Sequence, residues 1–304
     1  MLIRKICTNT CAKFVVLQYN NLMLNLAWCT DIHLDFLEND TPKFIKFCES
    51  LKNSNSDAIL ITGDISHKSS LIFQLSALEK IVQKQIYLVL GNHHFYGGST
   101  EIVRNEMNTL CGISSYLKYL SGVAYIPLTP KTALVGHDGW YDAGYGNVGE
   151  TPFIMNDWIK IFDFASHGVV NPISIRMGGY PNHHKIIEVS RRLAHAGVLH
   201  IMKGIKAASK YHNHIIVATH FPPFEEVCLH NGKASSPGSL PWYSSKMMGD
   251  MLRQAASFYP QITFDVYSGH SHGKADAIIS QNLSCHVGGA EYNQPQLQNV
   301  IVVQ

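Results

Sequence analysis

Five short clusters in this chain carry side chains that can hold a cation. Asp31-Ile32-His33 sets a carboxylate and an imidazole two residues apart, and in extended backbone those side chains share a face. Gly63-Asp64 presents a carboxylate after a glycine that permits a tight turn, and its two oxygens can reach two ions. Gly91-Asn92-His93 offers a neutral amide oxygen beside an imidazole that can carry a proton at neutral pH. His220 stands before Phe221-Pro222-Pro223, and Gly269-His270-Ser271-His272 again spaces two imidazoles at i and i+2. Each cluster alone also reads as a solvated turn or a capping residue, since Gly-Asp is a common turn and Asn tolerates the left-handed conformation. Their meaning changes together, because all five follow apolar runs, in one order along the chain.

Those runs are the strands that must position the clusters. Leu24–Cys29, Ala58–Ile61 and Ile86–Leu90 read as strands that end at Asp31, at Gly63-Asp64 and at Gly91-Asn92-His93. Between them Thr41–Leu51, with Pro42 near its start, and Leu71–Val82 have helical spacing. This βαβαβ order predicts parallel strands with helical crossovers. Ligands of such sheets lie beyond the carboxyl ends of the strands. Farther along, Gly122–Ile126 and Thr132–Val135 predict strands, and Phe153–Ala165 and His183–Lys210 predict helices. The Gly- and aromatic-rich stretch His137–Gly149 predicts a loop that either overhangs the site or is anchored in the core by Trp140. Ile215–Ala218 ends near His220 and Ile262–Tyr267 near Gly269, with Trp242–Phe258 helical between them. Ala275–Ile279, Ser284–Val287 and Val300–Val303 predict an antiparallel finish. With no internal repeat and no low-complexity linker, residues 23–304 read as one domain.

A chain of 304 residues can bury most of its unfolded surface, and 46% hydrophobic with 15% charged residues describes a globular protein. The net charge of +2 gives no global field to attract nucleic acid or an acidic membrane. No run of 18 apolar residues predicts a transmembrane helix. The 17 histidines, set against 22 acids, supply ligands suited to zinc, iron or manganese. Seven scattered cysteines, Cys7, Cys11, Cys29, Cys48, Cys111, Cys228 and Cys285, read as free thiols of a reducing compartment, hence a cytoplasmic location. Residues 1–22 are an N-terminal extension that contributes no cluster. They begin with Arg4 and Lys5, but polar residues break the apolar run that a secretory signal needs. We read them as the product of an upstream start rather than as an extra strand.

The order Asp-x-His, Gly-Asp, Gly-Asn-His, His, Gly-His-x-His resembles the calcineurin-like metallophosphoesterase signature, from Leu24 to His272. The resemblance implies an α/β fold, a four-layer α/β/β/α sandwich of two mixed β-sheets flanked by helices. It implies a dinuclear centre of two divalent or transition metal ions, with Asp31, His33, Asp64 and His272 on the first. Asp64, Asn92, His220 and His270 would hold the second, so that Asp64 bridges. It implies that a hydroxide between the ions attacks a phosphomonoester or phosphodiester. His93 would be the general acid that protonates the leaving oxygen. The expected partner is a small phosphorylated substrate, nucleotides included, with no membrane. Two departures argue against a Ser/Thr protein phosphatase: Ile65-Ser66-His67-Lys68 replaces the phosphate-holding Asp-Arg-Gly, and His94 replaces a Glu. His67 and Lys68 read either as substrate contacts or as a solvated loop, and Arg191 and Arg192 as a solvated helix face. The competing functions are a DNA nuclease of the same superfamily and a non-catalytic metal-binding scaffold. The near-neutral charge and the absence of a DNA-capping domain disfavour the first. The full set of ligands together with His93 disfavours the second.

Overall fold

Alternation along the strands decides the layering. In β1 (Leu24–Cys29), Leu26 and Trp28 face one way, and Ala27 and Cys29 the other. The computed structural model, which describes residues 23–37, 41–171, 173, 176–177, 179–230 and 232–304, shows what covers each face. The N-terminal extension and its proposed start site, with Cys7 and Cys11, lie outside the described residues.

Leu26 and Trp28 join Leu60, Val89, Leu134, Ile216 and Tyr267 in a core between two sheets. Ala27, Cys29, Ile59 and Leu88 pack instead against helices, through Leu51, Leu75 and Met107. Burial on both faces is why β2 (Ala58–Thr62) is a continuous apolar run rather than an alternating one. The first sheet has the order β13-β1-β2-β3-β4, with β3 at Gln85–Val89, β4 at Leu117–Tyr119 and β13 at Asn299–Val303. Strands β1 to β4 are parallel and β13 runs antiparallel to β1. Helices α1 (Thr41–Asn53), α2 (Lys68–Val82) and α3 (Thr100–Ile113) lie against this sheet.

The second sheet has the order β11-β12-β10-β7-β6-β5. Its parallel centre is β6 (Thr132–Gly136), β7 (His214–Ala218), β10 (Thr263–Ser268) and β12 (Leu283–Val287). Antiparallel edges are added by β5 (Ile126–Pro127) and β11 (Ala275–Ser280). Helices His183–Ala208 and Lys246–Phe258 cover its outer face, with Ile201, Ile205 and Leu252 against Val135, Ile215 and Val217. The chain is therefore the four-layer sandwich of two mixed sheets.

Several elements differ from the sequence expectation. Val300–Val303 does not complete an antiparallel group with β11 and β12; the strand crosses to the first sheet and pairs with β1. Helix α3 fills a stretch with no assigned element, although Val103, Met107, Leu110 and Cys111 bury one helical face and Ser99 Oγ caps it by accepting from Ile102 N–H. The strand expected at Gly122–Ile126 is confined to Ile126–Pro127, because Leu120–Gly122 forms a 3-10 turn. Trp242–Phe258 is two helices, Leu240–Tyr243 and Lys246–Phe258, broken where the Asp142 carboxylate accepts from the N–H groups of Lys246 (3.2 Å) and Met247 (2.5 Å). Phe153–Ala165 is likewise two short helices, Asn156–Lys160 and Phe162–Ala165. A small hairpin, β8 (Leu229–His230) and β9 (Lys233–Ala234), has no counterpart in the sequence reading.

Candidate metal centre

Parallel pairing within each sheet sends the carboxyl ends of β1, β2, β3, β7 and β10 to the same edge of the sandwich. The backbone turns there in an unusual way. Asp31 (φ 48), His33 (φ 41), Asp64 (φ 44), His270 (φ 68) and His272 (φ 59) all adopt the left-handed region, which non-glycine residues enter at a cost of about 1–2 kcal/mol each. The loops compensate by bonding to one another. Asp31 N–H donates to Gly63 O (3.1 Å), His33 N–H to Asp64 O (3.0 Å) and Gly269 N–H to His220 O (2.9 Å). His270 N–H is shared by the two Asp31 carboxylate oxygens, at 3.1 Å each.

The eight residues singled out in the sequence come together here, and all but two of them are buried, His93 and His272 being partly open. Asp31, His33 and His272 present ligand atoms within 4.8 Å of one another, as do Asp64, His220 and His270. A third such group, His33, Asp64 and His93, links the two. Asp64 thus stands between both halves, with Oδ2 at 3.4 Å from His220 Nε2 and 3.8 Å from His93 Nε2.

The polar atoms that meet here need a positive charge between them. His220 uses Nδ1–H to donate to Thr62 O (2.9 Å), which leaves Nε2 facing Asn92 Oδ1 (3.2 Å) and Asp64 Oδ2. The Asn92 oxygen is aimed by its own amide group, whose Nδ2 donates to Asp157 Oδ1 (2.8 Å) and Tyr96 OH (3.2 Å). His33 Nε2 faces His272 Nε2 at 3.2 Å, and His272 Nε2 lies 3.5 Å from Asp31 Oδ1. Burial opposes charge on His220, yet Asp64 outweighs it and lifts the imidazole to about 9, so Nε2 carries a proton that a cation bound beside Asp64 would displace. Burial pushes His33 and His270 down to about 3, so both are neutral, as metal-ligating imidazoles must be. For Asp64 burial works against ionisation, but His220 and His93 hold the carboxyl well below its ordinary range. The donor set of imidazoles, carboxylates and one amide fits two transition-metal or zinc ions.

Glycines keep the space open. A Cβ on Gly91 would lie 2.2 Å from Asp64 Oδ1 and 2.6 Å from His220 Nε2, and one on Gly269 would lie 2.0 Å from Asp31 Oδ2. His94 is fully buried and ties two clusters together: its Nε2 accepts from Ile65 N–H (3.0 Å) and its Nδ1 contacts Gly91 O (3.1 Å). The residue that departs from the Ser/Thr phosphatase pattern is thus a brace between loops. His67 stacks on His93 with centroids 5.3 Å apart, Lys68 pairs with Glu106 (3.0 Å), and Arg191 donates to Asp142 O (3.2 Å).

Trp140 is fully buried among Phe95, Tyr141, Phe164 and Phe221, so the Gly- and aromatic-rich loop is anchored in the core. Its Asp138 braces the third strand end by accepting from Leu90 N–H (2.8 Å), Arg104 Nε (2.9 Å) and Tyr119 OH (2.7 Å). Other residues overhang the centre. A cavity of about 440 Å³ is lined by Tyr96, Phe153, Ile154, Tyr243 and Tyr292, together with His93 and the buried Asp157. Neither Asp157 nor Tyr292 was singled out in the sequence; no spacing rule connects Asp157 to Asn92, 65 residues away. No helix among the described residues is long and apolar enough to cross a membrane.

The sequence model of the family described as calcineurin-like phosphoesterase matches residues 24–274. Among solved structures, a phosphopantetheinyl hydrolase from Mycobacterium tuberculosis is similar with TM-score 0.57 and 12% identity, covering 87% of this chain and 89% of that one. A dimetal phosphatase from Danio rerio is similar with TM-score 0.51 and 13% identity, covering 88% of this chain and 87% of that one. These likenesses concern the fold. No curated protein sequence matches the chain.

Proposed function

The chain belongs to the calcineurin-like phosphoesterase family and is a hydrolase of phosphoester bonds; from that premise we propose that residues 23–304 form one domain that hydrolyses a small phosphoester at a dinuclear centre bridged by Asp64. In this reading Asp31, His33, Asp64 and His272 would hold one ion, and Asp64, Asn92, His220 and His270 would hold the other. The position of Asp64, shared by two ligand groups, carries the assignment. When bound, the ions supply Lewis acidity toward phosphoryl oxygens and a lowered pKa for water. Their identity is manganese, iron or zinc, in keeping with mixed nitrogen and oxygen donors. The five cysteines among the described residues are free and buried, which supports a reducing compartment such as the cytoplasm.

The chain's own residues do the rest. The loop lattice fixes the ligands before substrate arrives, and the cavity over His93 receives the ester. One P–O bond forms to water as the P–O bond to the leaving oxygen breaks. His93 gives its proton to that oxygen and regains one in place of the proton released by the attacking water, so a monoester and water yield an alcohol and inorganic phosphate. The His93 ring lies between His33 and Tyr96, with centroids at 4.8 and 4.7 Å, and its Nε2 is on the Asp64 side. Removal of metal from the purified protein should abolish turnover of model esters, and manganese, iron or zinc should restore it. His93→Ala should keep its metals and lose about 10²–10⁴-fold in rate on alkyl esters, with a smaller loss on an activated aryl ester. Full activity in a demonstrably metal-free preparation would refute the mechanism, and equal losses across leaving groups would remove His93 from the acid role.

A further inference from the structure

The walls of the cavity are more selective than its floor. Phe153, Ile154 and Met155 form an apolar side that faces Tyr243 and Tyr292, and the rings of Phe153 and Tyr243 meet edge to face at 6.1 Å. Phe153 also borders two adjoining hollows of about 820 and 350 Å³. Among the described residues, no lysine or arginine lines any of the three. The charged side chains that do line them are acidic or histidine: Asp64 and Asp157 in the central cavity, Glu150 in the larger neighbour. Of the cations nearby, Lys233 flanks His230 on the small hairpin and lines none of the three hollows. Lys160 sits over the ring of Tyr96 at 5.2 Å, and Lys68 pairs with Glu106.

A phosphate carries about two negative charges near neutral pH, and a group of that charge needs cations or several donors where it leaves water. The metal cluster answers that need once. Along the Phe153 wall no lysine or arginine answers it a second time, and the hydroxyls of Ser235, Ser236 and Ser239 in the smaller hollow are engaged with one another and with Cys228. We propose that the substrate carries a single phosphate, on a neutral apolar or aromatic organic group seated against Phe153, Ile154 and Tyr243. Polyphosphates, bisphosphates and nucleic-acid strands are then excluded by charge. This inference rests on the phosphoesterase reading for its chemistry, but its selectivity is a property of binding.

The test uses the full chain loaded with manganese. Phenyl phosphate and 1,4-phenylene bisphosphate differ by one phosphate on the same ring. The value of kcat/KM for the monophosphate should exceed that for the bisphosphate by about tenfold. Ile154→Lys, at a position 38% exposed, supplies the missing cation and should shrink that ratio severalfold. Phe153→Ala should cut the preference for naphthyl over methyl phosphate by about fivefold, the worth of one aromatic contact. Calorimetric binding of phenylphosphonate and 1,4-phenylenebisphosphonate reads the same charge selectivity without turnover. If no ester is hydrolysed but the monophosphonate binds tighter, the inference stands and the hydrolase reading falls. If the doubly charged ligand binds or reacts as well as the single one, or Ile154→Lys leaves the ratio unchanged, the inference is overturned.

Discussion

Asp157 is not among the proposed metal ligands, yet its removal should be felt by them. It is fully buried, and its Oδ1 accepts from Asn92 Nδ2 and from Tyr96 OH, each at 2.8 Å. Burial raises its pKa while those two donors oppose the rise. Asp157→Ala would strand both donors, at a cost of about 1–3 kcal/mol in stability. It would also release the Asn92 amide, which can then turn its NH₂ group toward the ion that its oxygen should face. Partners of this kind typically change metal affinity by about 10–100-fold, equivalent to roughly 1.4–2.7 kcal/mol. We therefore expect one of the two ions to bind about 10–100-fold more weakly in Asp157→Ala, with the other retained. Asp157→Asn keeps an acceptor oxygen and should fall between. Competition titration with a chelator of known affinity, together with elemental analysis, measures this. The decisive comparison is a double-mutant cycle. Once Asn92 is alanine, Asp157→Ala should cost no further metal affinity, because its route to the ion has gone. If Asp157→Ala costs as much without Asn92 as with it, the orienting role is wrong.

Three further outcomes follow from other parts of the site. Asp64→Ala should lose both ions, whereas His220→Ala should weaken mainly one, as metal content per chain will show; two tightly held ions in Asp64→Ala would break the bridge assignment. Gly91 has an extended backbone that alanine adopts freely (φ −116, ψ −176), so Gly91→Ala should fold yet lose metal and turnover, because its Cβ enters the space of Asp64 and His220; cavity overpacking of this kind costs about 1–3 kcal/mol. Burial works to raise the pKa of Asp138, but Arg104 outweighs it and holds the carboxyl at about 2. A depressed carboxylate contributes stability that is present above its ordinary pKa near 3.8 and lost as pH falls toward about 2, here roughly 2 kcal/mol. Arg104→Met strands that charge and should lower stability at pH 7 by about 3–5 kcal/mol and move acid unfolding to higher pH, as denaturant and acid titrations will read.

The sequence by itself determined the strands and what stands at their ends. An apolar run such as Ala58–Thr62 is legible because both of its faces are buried, and a carboxylate or imidazole just after it is legible because a strand end is where a loop must begin. Asp31, His33, Asp64, Asn92, His220, His270 and His272 are local facts of this sort, and the structure collects them because parallel strands share one carboxyl edge. The partner of the last strand was not legible: Asn299–Val303 has no pattern that distinguishes an edge beside β12 from an edge beside β1. Nor were Asp157 and Tyr292, whose neighbours are set by where a short helix and a late loop come to rest. The same limit explains Trp140, which reads equally well as a lid or an anchor until Phe95, Phe164 and Phe221 are seen around it. Periodicity reports which face of an element is buried, since that depends on neighbours a few residues away. It cannot report what covers that face, because such contacts join segments tens to hundreds of residues apart, and only the packed chain decides them.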